Sequence, residues 1–353
     1  MTTSWMIYGA YGYTGELIAR HAVEQGERPI LAGRNAERIS ALATELGLES
    51  VAFSLDDADT LNAQVAKVDA VVHSAGPFSH TSKPMVKACL AGGTHYLDIT
   101  GEIVVFNAAF KAHQKAVDAG VVLLPGVGFD VIPTDCMAAI LKKELPDATE
   151  LDLAFAGLGG VSQGTLRTAT EGIAQGGWIR EDGQLKNVPT GWKRQEVAFA
   201  DKTRNVVTIP WGDLATAYRS TGIPNIKTWM AMPASAARWM RWSNPFKGMM
   251  GTGVAQGMMK RWIAKQPLGP DEKTRATGRS EVWGRVVNAA GKVVEGTMTT
   301  PEGYWLTALG AVAAVKRVAE AAPGAHTPST AFGADFASTL AGVTVHGTHR
   351  PGC

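Results

Sequence analysis

Trp5-Met6-Ile7-Tyr8-Gly9-Ala10-Tyr11-Gly12-Tyr13-Thr14-Gly15 is the stretch on which the fold turns. Its first four residues are a short apolar run, the pattern of a buried strand. The glycines follow at once in GxxGxxG spacing. Glu16 to Gln25 then sets Leu17, Ile18, Ala22 and Val23 on one helical face. Strand, glycine turn and helix in that order is the context in which a glycine triplet holds a dinucleotide. Gly9 would make the tight turn, Gly12 would let the backbone approach a pyrophosphate, and Gly15 would let the helix pack close to the strand. The phosphates would meet the unpaired N–H groups of the helix N-terminus, where the helix dipole favours an anion. A tight turn without a ligand is the alternative reading of the same residues.

The second strand bears on which dinucleotide. Pro29 to Ala32 is followed by Gly33, Arg34 and Asn35. An NAD site places Asp or Glu at this strand end to take the ribose hydroxyls. Here Gly33 and Arg34 stand instead, with Arg38 four residues later, expected on the same helix face. A guanidinium beside the ribose suits a 2′-phosphate, which it grips through two parallel hydrogen bonds. The expected cofactor is therefore NADP(H). Against this, Arg34 could merely open a solvated helix capped by Asn35.

The alternation continues. Val51 to Phe53 reads as a third strand, and Asp56 beyond it could accept the adenine amino group or cap the next helix. Asp69 to His73 is a fourth strand that runs into Ser74, Ala75, Gly76, Pro77 and Phe78. In a doubly wound sheet this loop should reach the ribose and nicotinamide. Ser82 is expected to cap the following helix, with Pro84 in its first turn. Thr94 to Asp98 is a fifth strand, Ile103 to Ala119 one long helix, and Val121 to Leu124 a sixth strand. Six such units predict a Rossmann-type, three-layered parallel sheet.

Further stretches carry a family likeness. Ala32-Gly33-Arg34, Ala75-Gly76-Pro77-Phe78, the run from Gly93 to Glu102 with Tyr96-Leu97-Asp98-Ile99-Thr100-Gly101-Glu102, and the run from Gly126 to Asp135 join the first motif. Glu302-Gly303-Tyr304 and the run from Thr327 to Gly333 follow. With these residues the chain resembles the saccharopine dehydrogenase-like family, and within it the trans-acting enoyl reductases. The resemblance implies an NADP-binding Rossmann domain, a middle α/β domain, and a C-terminal stretch returning to the first. Val131 stands where the family usually carries Ser. Short-chain dehydrogenases share the glycine spacing but use Tyr with Lys four residues on. The residues four beyond Tyr8, Tyr11, Tyr13, Tyr96, Tyr218 and Tyr304 are Gly12, Gly15, Leu17, Thr100, Gly222 and Ala308, so that chemistry is excluded.

Composition sets outer bounds. The 353 residues are 45% hydrophobic and 19% charged, which suits a folded chain of two domains. A net charge of +2 argues against a nucleic-acid partner. Three cysteines make no disulfide framework, so a reducing, cytoplasmic setting is expected. No signal peptide is read at the N-terminus, and no apolar run reaches the roughly 20 residues of a membrane span.

The expected domains are residues 1–130, a substrate domain over 131–302 that combines helices with a mostly antiparallel sheet, and helices over 303–345 returning to the first domain. Glu150 to Phe155 reads as a strand, residues 187–210 as two more, and Arg279 to Thr300 as a hairpin over Ala289-Ala290-Gly291. Tyr304 to Glu320 and Pro328 to Leu340 read as helices, and the tail from His346 as unstructured. Trp229 to Trp262 holds four of the ten tryptophans and seven of the twelve methionines among several cations. It is read as helical: packing on the second domain, walling an apolar substrate site, or meeting a membrane surface or an acyl-carrying partner.

Hydride transfer asks the protein for orientation and a proton donor. Tyr96, Asp98, Glu102 and Asp130 lie at the ends of strands five and six and are the candidate donors. Tyr96 and Asp98 are expected on opposite faces of their strand. Asp98 and Asp130 could instead bind backbone N–H groups and shape the loops. No His or Cys pair has metal-ligand spacing, so no metal is expected. The leading expectation is an NADPH-dependent reductase of a C=C or C=N bond in a small, apolar or lipid-like substrate. A non-catalytic NADP(H) sensor and a saccharopine-type amino-acid dehydrogenase are the alternatives, and a homodimer is open.

Overall fold

In a computed structural model of the chain the described residues are 3–157, 176–233 and 268–349, with 162–164, 166, 235, 236, 238, 257, 262, 265 and 266. The chain divides into two compact units, Met1–Ile132 with Tyr304–Ala341 and Pro133–Gly303 with Gly342–Cys353.

The first unit runs β1 (Trp5–Tyr8), α1 (Tyr13–Glu24), β2 (Ile30–Gly33), α2 (Ala36–Leu46), β3 (Ser50–Ala52), α3 (Ala58–Val65), β4 (Ala70–His73), α4 (Phe78–Gly92), β5 (His95–Asp98), α5 (Ile103–Lys111), α6 (His113–Ala119) and β6 (Val122–Leu124). The second unit holds α7 (Ile132–Glu144), which begins at the boundary, then β7 (Ala148–Ala156), β8 (Gly177–Glu181), β9 (Gln184–Val188), β10 (Arg194–Ala198), β11 (Thr203–Thr208), α8 (Asp213–Thr221), β12 (Asn225–Ala231), α9 (Glu272–Thr277), β13 (Arg279–Asn288) and β14 (Val293–Pro301). The chain re-enters the first unit with α10 (Gly303–Arg317), β15 (Gly324–Ala325) and α11 (Pro328–Phe332), and adds β16 (Thr344–His349) to the second.

The first sheet has the order β3-β2-β1-β4-β5-β6-β15, with every neighbouring pair parallel. This is the expected doubly wound arrangement. Its strands read as unbroken apolar runs because helices cover both faces. Met6, Tyr8, Val71, Tyr96 and Leu123 share a cluster with Val65, Met85 and Ala116. Ile7, Leu31, Val72 and Leu97 alternate with that set and are also fully buried. Strand order reverses between β1 and β4, so the carboxyl ends of these two strands diverge into a crevice.

Several elements differ from expectation. The predicted helix from Ile103 to Ala119 is two helices that meet at Ala112. α4 begins at Phe78, so Ser82 is a buried residue inside it and not its cap. Helix over Pro328 to Leu340 stops at Gly333 and resumes as a 3-10 turn, Phe336–Thr339. The edge strand β15 is only two residues long and carries no strand pattern that a reading of the sequence could catch.

Among the described residues the second sheet has the order β10-β11-β12-β7-β13-β14-β16, with β9 joined through β8 to β12. Its pairings are antiparallel except β7 with β12. The β13–β14 hairpin stands where the spacing placed it. Trp229 does not open a helix. It lies in β12, buried, and its Nε1–H donates to Asp152 Oδ1 at 2.9 Å. Most of the Trp- and Met-rich stretch beyond Pro233 lies outside the described residues. The described part of the tail, His346 to His349, is not unstructured either, because Thr344–His349 pairs with β14, while residues 350–353 lie outside the described residues. No helix of the described residues is long and apolar enough to cross a membrane.

Candidate functional site

The glycine loop joins β1 to α1 at the point where strand order reverses. Gly9 has φ +91°, a left-handed conformation that favours glycine. A Cβ there would stand 2.8 Å from the backbone nitrogen of Ala75, in the loop after β4. The N–H groups of Gly9 and Ala10 both donate to the Ala32 carbonyl of β2. A Cβ on Gly15 would lie 2.4 Å from the Gly9 carbonyl oxygen and 2.7 Å from Ser74 Oγ, so the helix closes directly on the loop. Ser74 completes the join, its N–H and its hydroxyl both donating to the Tyr8 carbonyl, at 2.8 and 3.0 Å.

The N-termini of α1 to α4, which follow β1 to β4, are treated differently. Asn35 caps α2 by accepting from Arg38 N–H, and Asp57 caps α3 by accepting from Thr60 N–H. Glu102 reaches from the β5 exit loop to the start of α4, where its two carboxylate oxygens accept from Phe78 N–H and Ser79 N–H, each at 2.8 Å. α1 begins at Gly12, which has no side chain to cap it. The first turn of α1, Tyr13, Thr14 and Gly15, thus receives no cap from a side chain at Gly12. Tyr13 stands edge-on to Tyr304 with ring centroids 5.2 Å apart.

At the end of β2, Arg34 is exposed and precedes the cap residue Asn35, so it lies outside α2 and not on a helix face with Arg38. Its charge reaches Tyr8: burial pushes the Tyr8 hydroxyl up to about 12, and Arg34 pulls it down. Arg38 is engaged elsewhere. Its guanidinium lies over the Tyr11 ring, 4.6 Å from the centroid, and its Nη2 donates to the Tyr11 carbonyl at 3.3 Å. Asp56 does not cap α3, since Asp57 does; it accepts from Ser54 Oγ at 3.2 Å and is exposed.

The loop after β4 holds Ala75, a cis Gly76–Pro77 bond and Phe78. His73 ends β4, and no motif in the sequence marks it as functional. It is fully buried among Tyr8, Phe78 and Tyr96, with ring centroids 5.6, 5.5 and 6.3 Å away. Its Nε2 lies 3.0 Å from Thr81 Oγ1, whose hydroxyl also lies 2.7 Å from the Ala75 carbonyl. Burial lowers the imidazole to about 3.

The four candidate acids separate. Tyr96 and Asp98 share one face, as residues two apart on a strand must. The Tyr96 hydroxyl donates to Asp98 Oδ2 at 2.6 Å, and both side chains are fully buried. Asp98 Oδ1 accepts from Thr100 N–H and Gly126 N–H at 3.0 and 2.9 Å. Burial pushes Asp98 up to about 6 against these donors, and pushes Tyr96 well above its usual value. This pair ties the β5 exit loop to the β6 exit loop through Thr100 and Gly126. Glu102, likewise, is spent on α4. Asp130 differs. It is partly exposed, packs against Gly101, and is pushed by burial up to about 7. Thr307, on α10, supports its loop by accepting from Phe129 N–H at 3.0 Å. Among the described residues no group of His, Cys, Asp and Glu stands together as a metal site would.

Comparison with known proteins agrees with this geometry. Residues 5–124 match the family model described as the saccharopine dehydrogenase NADP binding domain. A trans-acting enoyl reductase of Mycobacterium tuberculosis is 34% identical over 153 residues, which are 41% of this chain and 37% of that protein. One of Mycobacterium ulcerans is 30% identical over 182 residues, 49% and 42% of the two chains. The alignments thus span about two fifths of the length of these relatives. In fold, the chain is similar to apo saccharopine dehydrogenase (L-Glu forming) of Saccharomyces cerevisiae, with a TM-score of 0.64 over 99% of both chains at 11% identity. The match to the saccharopine dehydrogenase NADP binding domain model thus runs over β1 to β6 of the first sheet.

Proposed function

We propose that the chain is an NADPH-dependent oxidoreductase that reduces a C=C bond in an apolar, lipid-like substrate. The observation that carries the reading is the glycine-capped N-terminus of α1, set at the reversal of strand order, with Arg34 and no carboxylate at the end of β2. The bound dinucleotide would supply the hydride. The first turn of α1 would hold its pyrophosphate, Arg34 its 2′-phosphate, and the Ser74–Phe78 loop would border the ribose and nicotinamide. Asp130 is the acid suited to give a proton near neutral pH, because burial raises it to about 7. The substrate class rests on the enoyl reductases that are similar to part of the chain, and on the tryptophans and methionines between Trp229 and Trp262.

Melting of the wild type and of Arg34→Asp, each with NADPH, NADH or neither, tests the cofactor. Nucleotide at a hundred times its dissociation constant should add about 2.7 kcal/mol to the wild type, a shift of several degrees. The carboxylate of Arg34→Asp would repel a 2′-phosphate, so NADPH should weaken by roughly tenfold to a hundredfold while NADH holds. Equal loss of both would remove Arg34 from the site. NADPH consumption with a panel of enoyl thioesters and cyclic imines then separates C=C from C=N reduction.

A further inference from the structure

Resting on that reading and deepening it, we propose that Tyr11 is a specificity-determining residue, whose ring bars the carboxylate that would turn the site toward NADH. β2 ends at Gly33, the place where dinucleotide domains that take NADH put an Asp or Glu for the ribose hydroxyls. Here a Cβ at Gly33 would stand 2.9 Å from Tyr11 Cε1 and 2.9 Å from Ile39 Cδ1. Contacts that short do not persist, so one neighbour must move. Ile39 is 1% exposed and packed in the first unit, with no room to swing. Tyr11 is held as well. The Arg38 guanidinium lies over its ring, and the same side chain donates to the Tyr11 carbonyl. Arg38 is itself seated by the cap that Asn35 makes to its N–H.

The ring is thus clamped between the end of β2 and the first turn of α2. An acid at the strand end has no place while the ring is there, and Arg34, exposed, is the charged side chain that the strand end presents. Cofactor choice in this chain then has two separable parts. Arg34 attracts the 2′-phosphate, and Tyr11 with Arg38 excludes the residue that would favour a free ribose hydroxyl. A single acid placed at the strand end should therefore not convert the site, whereas the same acid with the ring removed should.

Four proteins decide it: wild type, Gly33→Asp, Tyr11→Ala, and the double variant. Each is melted without ligand and titrated with NADPH and with NADH by nucleotide fluorescence. Gly33→Asp should melt below the wild type and bind NADH within roughly threefold of it. The double variant should melt close to Tyr11→Ala and bind NADH at least about tenfold more tightly than the wild type. Gly33→Asp that melts like the wild type and gains tenfold for NADH by itself overturns the proposal, as does a double variant with no gain. A wild type that binds neither nucleotide overturns the functional reading and this proposal with it. A wild type that binds NADPH, alongside either of the first two failures, overturns this proposal alone.

Discussion

His73 shows how much one buried side chain can carry. The Thr81 hydroxyl has a single hydrogen, which goes to the Ala75 or Pro77 carbonyl, at 2.7 or 3.0 Å, so it accepts from His73 Nε2–H. The ring is then neutral, and burial keeps it so down to about pH 3. An unfolded chain binds a proton at His73 below about pH 6.5, which the folded chain refuses. Stability contributed by His73 is therefore present above that value and is lost as pH falls toward 3, by at most about 1.4 kcal/mol per pH unit. Asp130 and Asp98, raised to about 7 and 6, act with the opposite sign, adding stability as the pH falls through those values. His73→Phe keeps a ring among Tyr8, Phe78 and Tyr96. Urea unfolding should show it gaining on the wild type by about 1 kcal/mol per unit between about pH 6 and 4. A difference that does not change with pH would refute the assignment. The sequence displays His73 at a strand end, but its burial and its bond to Thr81 come from the packing of α4.

At the scale of elements, α4 depends on a residue outside it. Glu102 belongs to the β5 exit loop, yet its carboxylate takes the first two N–H groups of α4. Glu102→Ala should cost about 1–2 kcal/mol of stability and expose the amides of Phe78 and Ser79 to faster hydrogen exchange. Unchanged exchange at those two amides would show that the cap is not made in solution. A helix cap within a few residues, such as Asn35, is legible in a sequence because donor and acceptor are neighbours. A cap made from 24 residues away leaves no local pattern, and for the same reason Glu102 looked like a free acid. The division of α5 from α6 at Ala112 was equally silent, since neither Gly nor Pro marks it.

Across the whole molecule, the last strand belongs to the second unit although the segment before it belongs to the first. β16 pairs with β14 through Glu295 with His349, Gly296 with Thr348, Met298 with Val345 and Thr299 with Thr344. Each cross-strand pair contributes about 0.2–1 kcal/mol. Truncation after Ala341 should therefore lower the melting temperature by several degrees and leave β14 as an open edge prone to association. The residues proposed to hold the nucleotide, Gly9 to Gly15, Arg34 and Ser74 to Phe78, all belong to the first unit, so the NADPH-induced shift should survive the truncation. Loss of that shift would mean that the second unit shapes the cradle.

The sequence by itself determined the strand, glycine turn and helix at Trp5 to Glu24, the succession of parallel strands after it, and the β13–β14 hairpin. Those signals are local: apolar period, turn residues and caps all act within about fifteen residues. Only the tertiary structure decided the surroundings of the four acids. Tyr96 and Asp98 close on each other, Glu102 closes on α4, and burial raises Asp130. It also decided that Tyr11 covers Gly33 and that β16 joins the second sheet. Each of these rests on burial or on a partner distant in the chain. Burial sets the pKa, and distant partners are assembled only when strands and helices pack.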